Sequence, residues 1–257
     1  MIAELQLAVL ALQEYLWLGF AVFLRASALV ALVPGFGEQV IPIRVRLGMA
    51  ISFTLIVVPV LSPLNSPDGF VGWIMIMAPE VVVGAFFGMA LRLFVLVLQI
   101  CGSIAAQSTS LSQIFGGSAG VDPQPAIGRV LVVAGLALAC SIGLHAHIAS
   151  YILQSYTIVP FGVLIASERV LAVGLLEISK AFSLGFTLAA PFVVASLIYN
   201  VTLGVINRAM PQLMVSFVGA PAITAGGLFL LFVTSPLLLD IWLNTLVEFM
   251  KNPFGGF

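Results

Sequence analysis

FVGWIMIMAPEVVVGAFFGMALRLFVLVLQICGSIAA, residues 70–106, is the stretch that decides how this chain folds. It is an almost unbroken apolar run, and it is far longer than the ~20 residues a helix needs to cross a bilayer. Glu80, Gly84, Gly88 and Arg92 recur in it at every fourth position, which places them on one slowly drifting stripe of a helix. Gly84 and Gly88 form a GxxxG, the spacing that lets a second helix approach closely. Glu80 and Arg92 are twelve positions apart, about 18 Å along a straight helix, so they cannot pair with each other. Each therefore needs a partner elsewhere, on a face turned toward protein or water. Pro79 is expected to kink or break the segment, because it removes a backbone donor and crowds the preceding turn.

The rest of the chain has the same character. Of its 257 residues, 61% are hydrophobic and 7% charged, where a soluble domain has about 25% charged residues, so this reads as an all-α, polytopic membrane protein. A formal net charge of −1 with no basic run excludes a nucleic-acid footprint. The N-terminus carries Glu4 and Glu14 and lacks the basic region and cleavage site of a secretory signal, so it is expected to be retained. Cys101 and Cys140 lie in apolar runs and read as small buried hydrophobes.

Six hydrophobic segments are predicted, near 15–33, 47–61, 70–106, 127–151, 171–206 and 213–246. The first holds Arg25 near its middle, which either snorkels, pairs within the protein, or serves a pore or subunit contact. Arg44 and Arg46 follow in a loop that the positive-inside rule places in the cytoplasm, and with Arg129 and Arg208 they suggest both termini outside. His145 and His147 are two residues apart, on different helix faces, which is poor geometry for a shared metal. Glu177 and Lys180 have i,i+3 spacing and read as a self-neutralising pair. Ser196, Asn200 and Gly204 make a small polar stripe suited to protein neighbours. Pro191 is internal to the fifth segment, while Pro221, Gly226 and Gly227 interrupt the last one, and broken apolar segments point to cavities and moving parts. No linker or short repeat divides the chain, which reads as one membrane domain over 1–257.

Between the third and fourth segments lies AAQSTSLSQIFGGSAGVDPQP, residues 105–125, polar and Gly-rich with Asp122 as its sole charge. A long polar stretch between membrane segments is tolerated at depth where it is buried in protein or lines water, so it is expected at or near a pore. Its GGSAG matches G-x-S-x-G, but a nucleophile elbow needs a strand before Ser118 and a helix directly after it, and neither is predicted. Asp122 and Asp240 sit in unlike contexts, and no phosphate-binding G-x-x-x-x-G-K-[ST] occurs. No catalytic residue, metal site or cofactor is therefore expected. A conduit or assembly subunit fits best. The alternatives are a small-solute carrier using Glu80, Arg92 or Lys180, and then an intramembrane protease.

The order of motifs is similar to one family. IPIRVRLG at 41–48, the Pro79-Glu80 start of the Gly-spaced helix, AAQSTSLSQIFGG leading to Asp122-Pro123, QSYTIVPFG at 154–162 and NRAMPQL at 207–213 together resemble the FliR family. This is the R-type component of the flagellar type III export gate, itself similar to the SctT component of virulence injectisomes, so the resemblance implies a flagellar export subunit with an injectisome export subunit as the alternative. The resemblance covers nearly the whole chain. It implies a subunit that assembles with FliP and FliQ, beside FlhB, at the flagellar basal body, passing unfolded flagellar proteins across the inner membrane. It further implies bent helical hairpins in a closed helical assembly, and a plug loop at Gln107, Ser110, Phe115, Gly116, Gly117 and Asp122. The chain departs locally, with STSLS at 108–112 where many relatives carry Met.

Overall fold

A computed structural model describes residues 2–38, 41–62, 69–108, 126–210 and 215–255. All regular structure in them is helical: α1 (Ile2–Val30), α2 (Ile43–Val57), α3 (Gly69–Ser108), α4 (Ala126–Ser141), α5 (Leu144–Ile158), α6 (Ser167–Ala209) and α7 (Val215–Lys251), with short 3-10 turns at Val58–Val60 and Pro253–Gly255. A helix satisfies its backbone polar groups internally, which an apolar surrounding demands and which outweighs the weak helix propensity of so many Val and Ile residues.

Four stretches are long and apolar enough to cross a membrane: Ile43–Val60, Val71–Ser108, Ser167–Ala209 and Pro221–Lys251. The bent pair α4 and α5 makes a fifth if taken as one broken span. The six expected segments thus map onto seven helices, with the fourth segment split in two. The first corresponds to α1, whose Arg25 is withdrawn from the surroundings altogether. At 40 and 43 residues, α3 and α6 are about 60 Å long, twice the ~30 Å of a hydrocarbon core.

Where the chain breaks differs from expectation. Pro79, Pro191, Pro221 and Pro236 all lie inside continuous helices. Each proline forfeits one backbone donor, and the helix continues on both sides of it. The break falls instead at Gly143, whose φ of 84° lies in the left-handed region that glycine enters without steric cost. Its carbonyl then accepts from the Ala146 and His147 amides and starts α5. Arg44 and Arg46 belong to the first turn of α2 rather than to a loop. Arg46 clasps the preceding turn, donating from Nε to the Ile41 carbonyl (3.2 Å) and from Nη2 to the Glu38 carbonyl (3.0 Å). Cys101 is buried, but Cys140 is exposed, contrary to its reading as a buried residue.

The chain divides into two compact units. Unit 1 comprises Met1–Leu93, Ile142–Glu177 and Leu246–Phe257; unit 2 comprises Phe94–Ser141 and Ile178–Thr245. In unit 1, α1 packs on α3 where Arg25 and Leu29 meet Gly84 and Gly88, and Leu18, Val22, Leu29, Val83 and Phe87 of the two helices are all essentially inaccessible. Tyr151, Phe249 and Phe254 gather around Phe87, with the Phe254 ring edge-on to it at 5.2 Å. In unit 2, the Trp242 indole is fully buried and donates from Nε1 to the Phe94 carbonyl at 2.8 Å. There Gly102 and Gly128 bring α3 and α4 into backbone contact, leaving no room for a Cβ at Gly102.

Candidate functional site

Unit 1 contains the most concentrated polar chemistry among the described residues. Arg25 on α1 and Glu80 on α3 are both 0% exposed, 55 positions apart in sequence. The guanidinium meets the carboxylate in a two-point fork, Nε to Oε2 at 2.8 Å and Nη2 to Oε1 at 3.1 Å, the strongest arrangement this pair can make. Nη1 donates twice more, to Ser155 Oγ (3.2 Å) and to the Val159 carbonyl (3.0 Å). On the other side, Oε2 also accepts from the Tyr156 hydroxyl (3.3 Å), and Oε1 from the Gly162 amide (3.1 Å). The Tyr156 ring lies under the guanidinium at 3.8 Å, within cation–π range.

A carboxylate offers about four acceptor positions, and all four on Glu80 are taken by this chain. No acceptor position on it is left over to hold a substrate. Two charges in such surroundings are tolerable because each is paired and hydrogen-bonded. The centre ties four elements together: α1, α3, α5 and the α5–α6 connection. The connection can reach the carboxylate because Gly162 adopts φ 69°, which aims its N–H inward beside Ile76.

The glycines of the α3 stripe pack immediately alongside. A Cβ on Gly84 would overlap the Arg25 backbone carbonyl, and one on Gly88 would lie 2.9 Å from the Leu29 carbonyl and from Leu32 Cβ. Close approach of the two backbones brings Arg25 within reach of Glu80. Arg92, the fourth member of the stripe, is exposed, so the stripe does not present one uniform face.

The other sequence candidates are dispersed. Glu177 is buried and Lys180 exposed on α6, and Arg208 is exposed in its last turn. Asn200 donates to Ser196 Oγ at 3.2 Å on an exposed face, and a Cβ on Gly204 would meet nothing. His145 is exposed, and among the described residues no three His, Cys, Asp or Glu side chains gather as metal ligands. Gln107 is exposed at the end of α3. Ser110, Phe115, Gly116, Gly117, Asp122 and Ser118 lie outside the described residues.

Sequence reasoning missed Ser155, Tyr156, Val159 and Gly162 as partners of the buried pair. A signal existed: all four fall within the QSYTIVPFG stretch at 154–162, singled out for its family likeness but not connected to Arg25.

The profile described as "Bacterial export proteins, family 1" matches residues 16–249. A flagellar biosynthetic protein FliR of Caulobacter vibrioides is 33% identical over 234 residues, covering 89% of this chain and 92% of its own. Proteins of the same description from Escherichia coli (strain K12) and Aquifex aeolicus are each 27% identical, over 88% and 93% of this chain and 87% and 93% of their own lengths.

Proposed function

From the premise that this chain belongs to the bacterial export proteins, family 1, and to the FliR family within it, we infer its place in flagellar protein export. It is an integral membrane component of flagellar type III export. The observation that carries this is the family match over residues 16–249, nearly the whole helical framework.

The finer reading is a non-enzymatic subunit of the export gate in the bacterial inner membrane, at the flagellar basal body. It would assemble with FliP and FliQ beside FlhB and help pass unfolded flagellar proteins. The buried pair supports a framework role over the solute-carrier alternative. Glu80, a charge on which a carrier would rely, is fully engaged by its own chain, and so is Arg25. In this reading Gln107, Ser110, Phe115, Gly116, Gly117 and Asp122 belong to a loop that closes the channel at rest.

The test is ion leakage across membranes containing the co-expressed complex, with and without residues 116–120. Increased leakage with assembly intact supports a closing loop. Unchanged leakage with assembly intact removes that role from the loop, and substrate-dependent solute flux in liposomes holding this chain alone would overturn the gate reading in favour of a carrier.

A further inference from the structure

Residues 109–125 leave α3 at Ser108 and rejoin the helical framework at Ala126, the first residue of α4, so the spacing of these two helices sets the distance between the ends of that loop. In unit 2 the two helices run antiparallel: Gly135 of α4 faces Leu98 of α3, and Gly128, about two turns nearer the loop, faces Gly102. The two contacts differ in kind. At Gly135 the space is filled by side chains, since a Cβ there would lie 2.7 Å from Leu98 Cδ1 and 3.2 Å from the ring of the buried Trp242. The indole is itself fastened to the Phe94 carbonyl. At Gly102 the contact is backbone on backbone.

A Cβ on Gly102 would stand 2.2 Å from the Gly128 Cα and 2.6 Å from its nitrogen, whereas ordinary contact begins at 3.4 Å. Neither atom can rotate out of the way, so a methyl fits only if the helices part, by roughly 1 Å. From residue 101 onward the buried positions of α3 are Cys101, Gly102, Ala105 and Ala106, all small, with Ile127 and Leu131 buried on α4. No large side chain of α3 therefore holds the helices apart at the loop end, and the glycine contact lets their backbones approach there. With Leu98 and Trp242 as the pivot, Gly102 lies four residues along α3, about 6 Å, and Ser108 ten residues, about 15 Å. A parting of roughly 1 Å at Gly102 thus grows to about 2.5 Å where the loop departs.

We propose that Gly102 is a positioning residue for closure of the export channel: its backbone contact with Gly128 fixes the distance between the ends of the loop at 109–125. The inference rests on the reading of that loop as the element that closes the channel at rest, and it names what holds the loop's two ends together. The requirement is for the absence of a side chain at one position. Gly128 is the less demanding partner, because a Cβ there would lie 3.8 Å from the Gly102 Cα, an ordinary contact.

The co-expressed complex is compared as wild type, Gly102→Ala, Gly226→Ala and the 116–120 deletion, by ion leakage and by hydrogen exchange along α3 and α4. Gly102→Ala is expected to raise leakage toward the level of the deletion with assembly intact. It should also speed exchange at 103–108 and 126–131 while 94–98 and 135–139 stay protected. Gly226→Ala adds the same methyl to a helix of unit 2 where nothing lies within 4 Å, and should match wild type in both readings. If Gly102→Ala fails to assemble, Gly128→Val enters the same contact more gently and decides in its place. A wedge variant that assembles and stays tight while the deletion leaks overturns this inference and leaves the closing loop standing. Leakage without faster exchange at the loop end overturns it too, since the helices then have not parted. If the deletion itself stays tight, the closing-loop reading falls and takes this inference with it.

Discussion

Arg25 and Glu80 form a closed pair: Nε lies 2.8 Å from Oε2 and Nη2 3.1 Å from Oε1, both residues are 0% exposed, and each also holds groups from α5 or the connection after it. Neither charge is available to solvent or to a passing solute.

Because each charge is compensated only by the other, removing one should be worse than removing both. Arg25→Ala or Glu80→Ala is expected to cost about 3–5 kcal/mol, the penalty for stranding a buried charge, while Arg25→Met with Glu80→Leu should cost less than either. A double-mutant cycle on thermal unfolding of the purified protein in detergent measures this, and additive losses would show that the pair is not coupled.

Tyr156→Phe keeps the ring under Arg25 but deletes the hydroxyl on Glu80 Oε2. One acceptor position on a buried carboxylate is left empty, at an expected cost of about 1–3 kcal/mol. Tyr156→Leu also removes the ring and should cost more; equal melting temperatures for the two variants would mean that the cation–π contact contributes nothing.

Glycines should separate into two classes. Gly84→Ala drives a methyl into the Arg25 carbonyl, and overpacking of this kind costs about 1–3 kcal/mol. Gly19→Ala and Gly48→Ala meet nothing within 4 Å and should be neutral or stabilising by up to ~1 kcal/mol, since alanine is the better helix former. Steady-state protein level in the membrane, compared across the three variants, checks the ordering.

In unit 2, Trp242→Ala should cost about 3–5 kcal/mol through the cavity it leaves. Trp242→Phe, which chiefly loses the hydrogen bond to the Phe94 carbonyl, should cost roughly 1–2 kcal/mol. Local hydrogen exchange around Phe94 reads both; no change in either variant would remove the indole from the account of unit 2.

Much of the framework was legible because long apolar runs admit few other structures, and α3 was located within two residues at each end. Pro79 and Pro221 do not break their helices, because a proline costs a helix one hydrogen bond and a local clash, and each helix continues past it. The break at Gly143 carried no proline to announce it; a left-handed residue is a property of backbone geometry, which composition does not encode. The Glu80 stripe implied a partner but could not name one, since Arg25 lies 55 positions away and Gly162 82, well beyond any helical periodicity. Only three-dimensional packing, through Gly84, brings them together.

The two units are interleaved along the chain, and this constrains how the protein can be made. Unit 1 begins with the first residue yet includes Leu246–Phe257, where Met250 is buried and Phe254 closes on Phe87. A nascent chain emerging from the ribosome can pair α1 with α3 early, but it cannot finish that unit until everything in between has been synthesised and inserted. Phe87 and Tyr151 wait, partly unpacked, for the last dozen residues, and a chain that stops short of residue 246 leaves unit 1 incomplete.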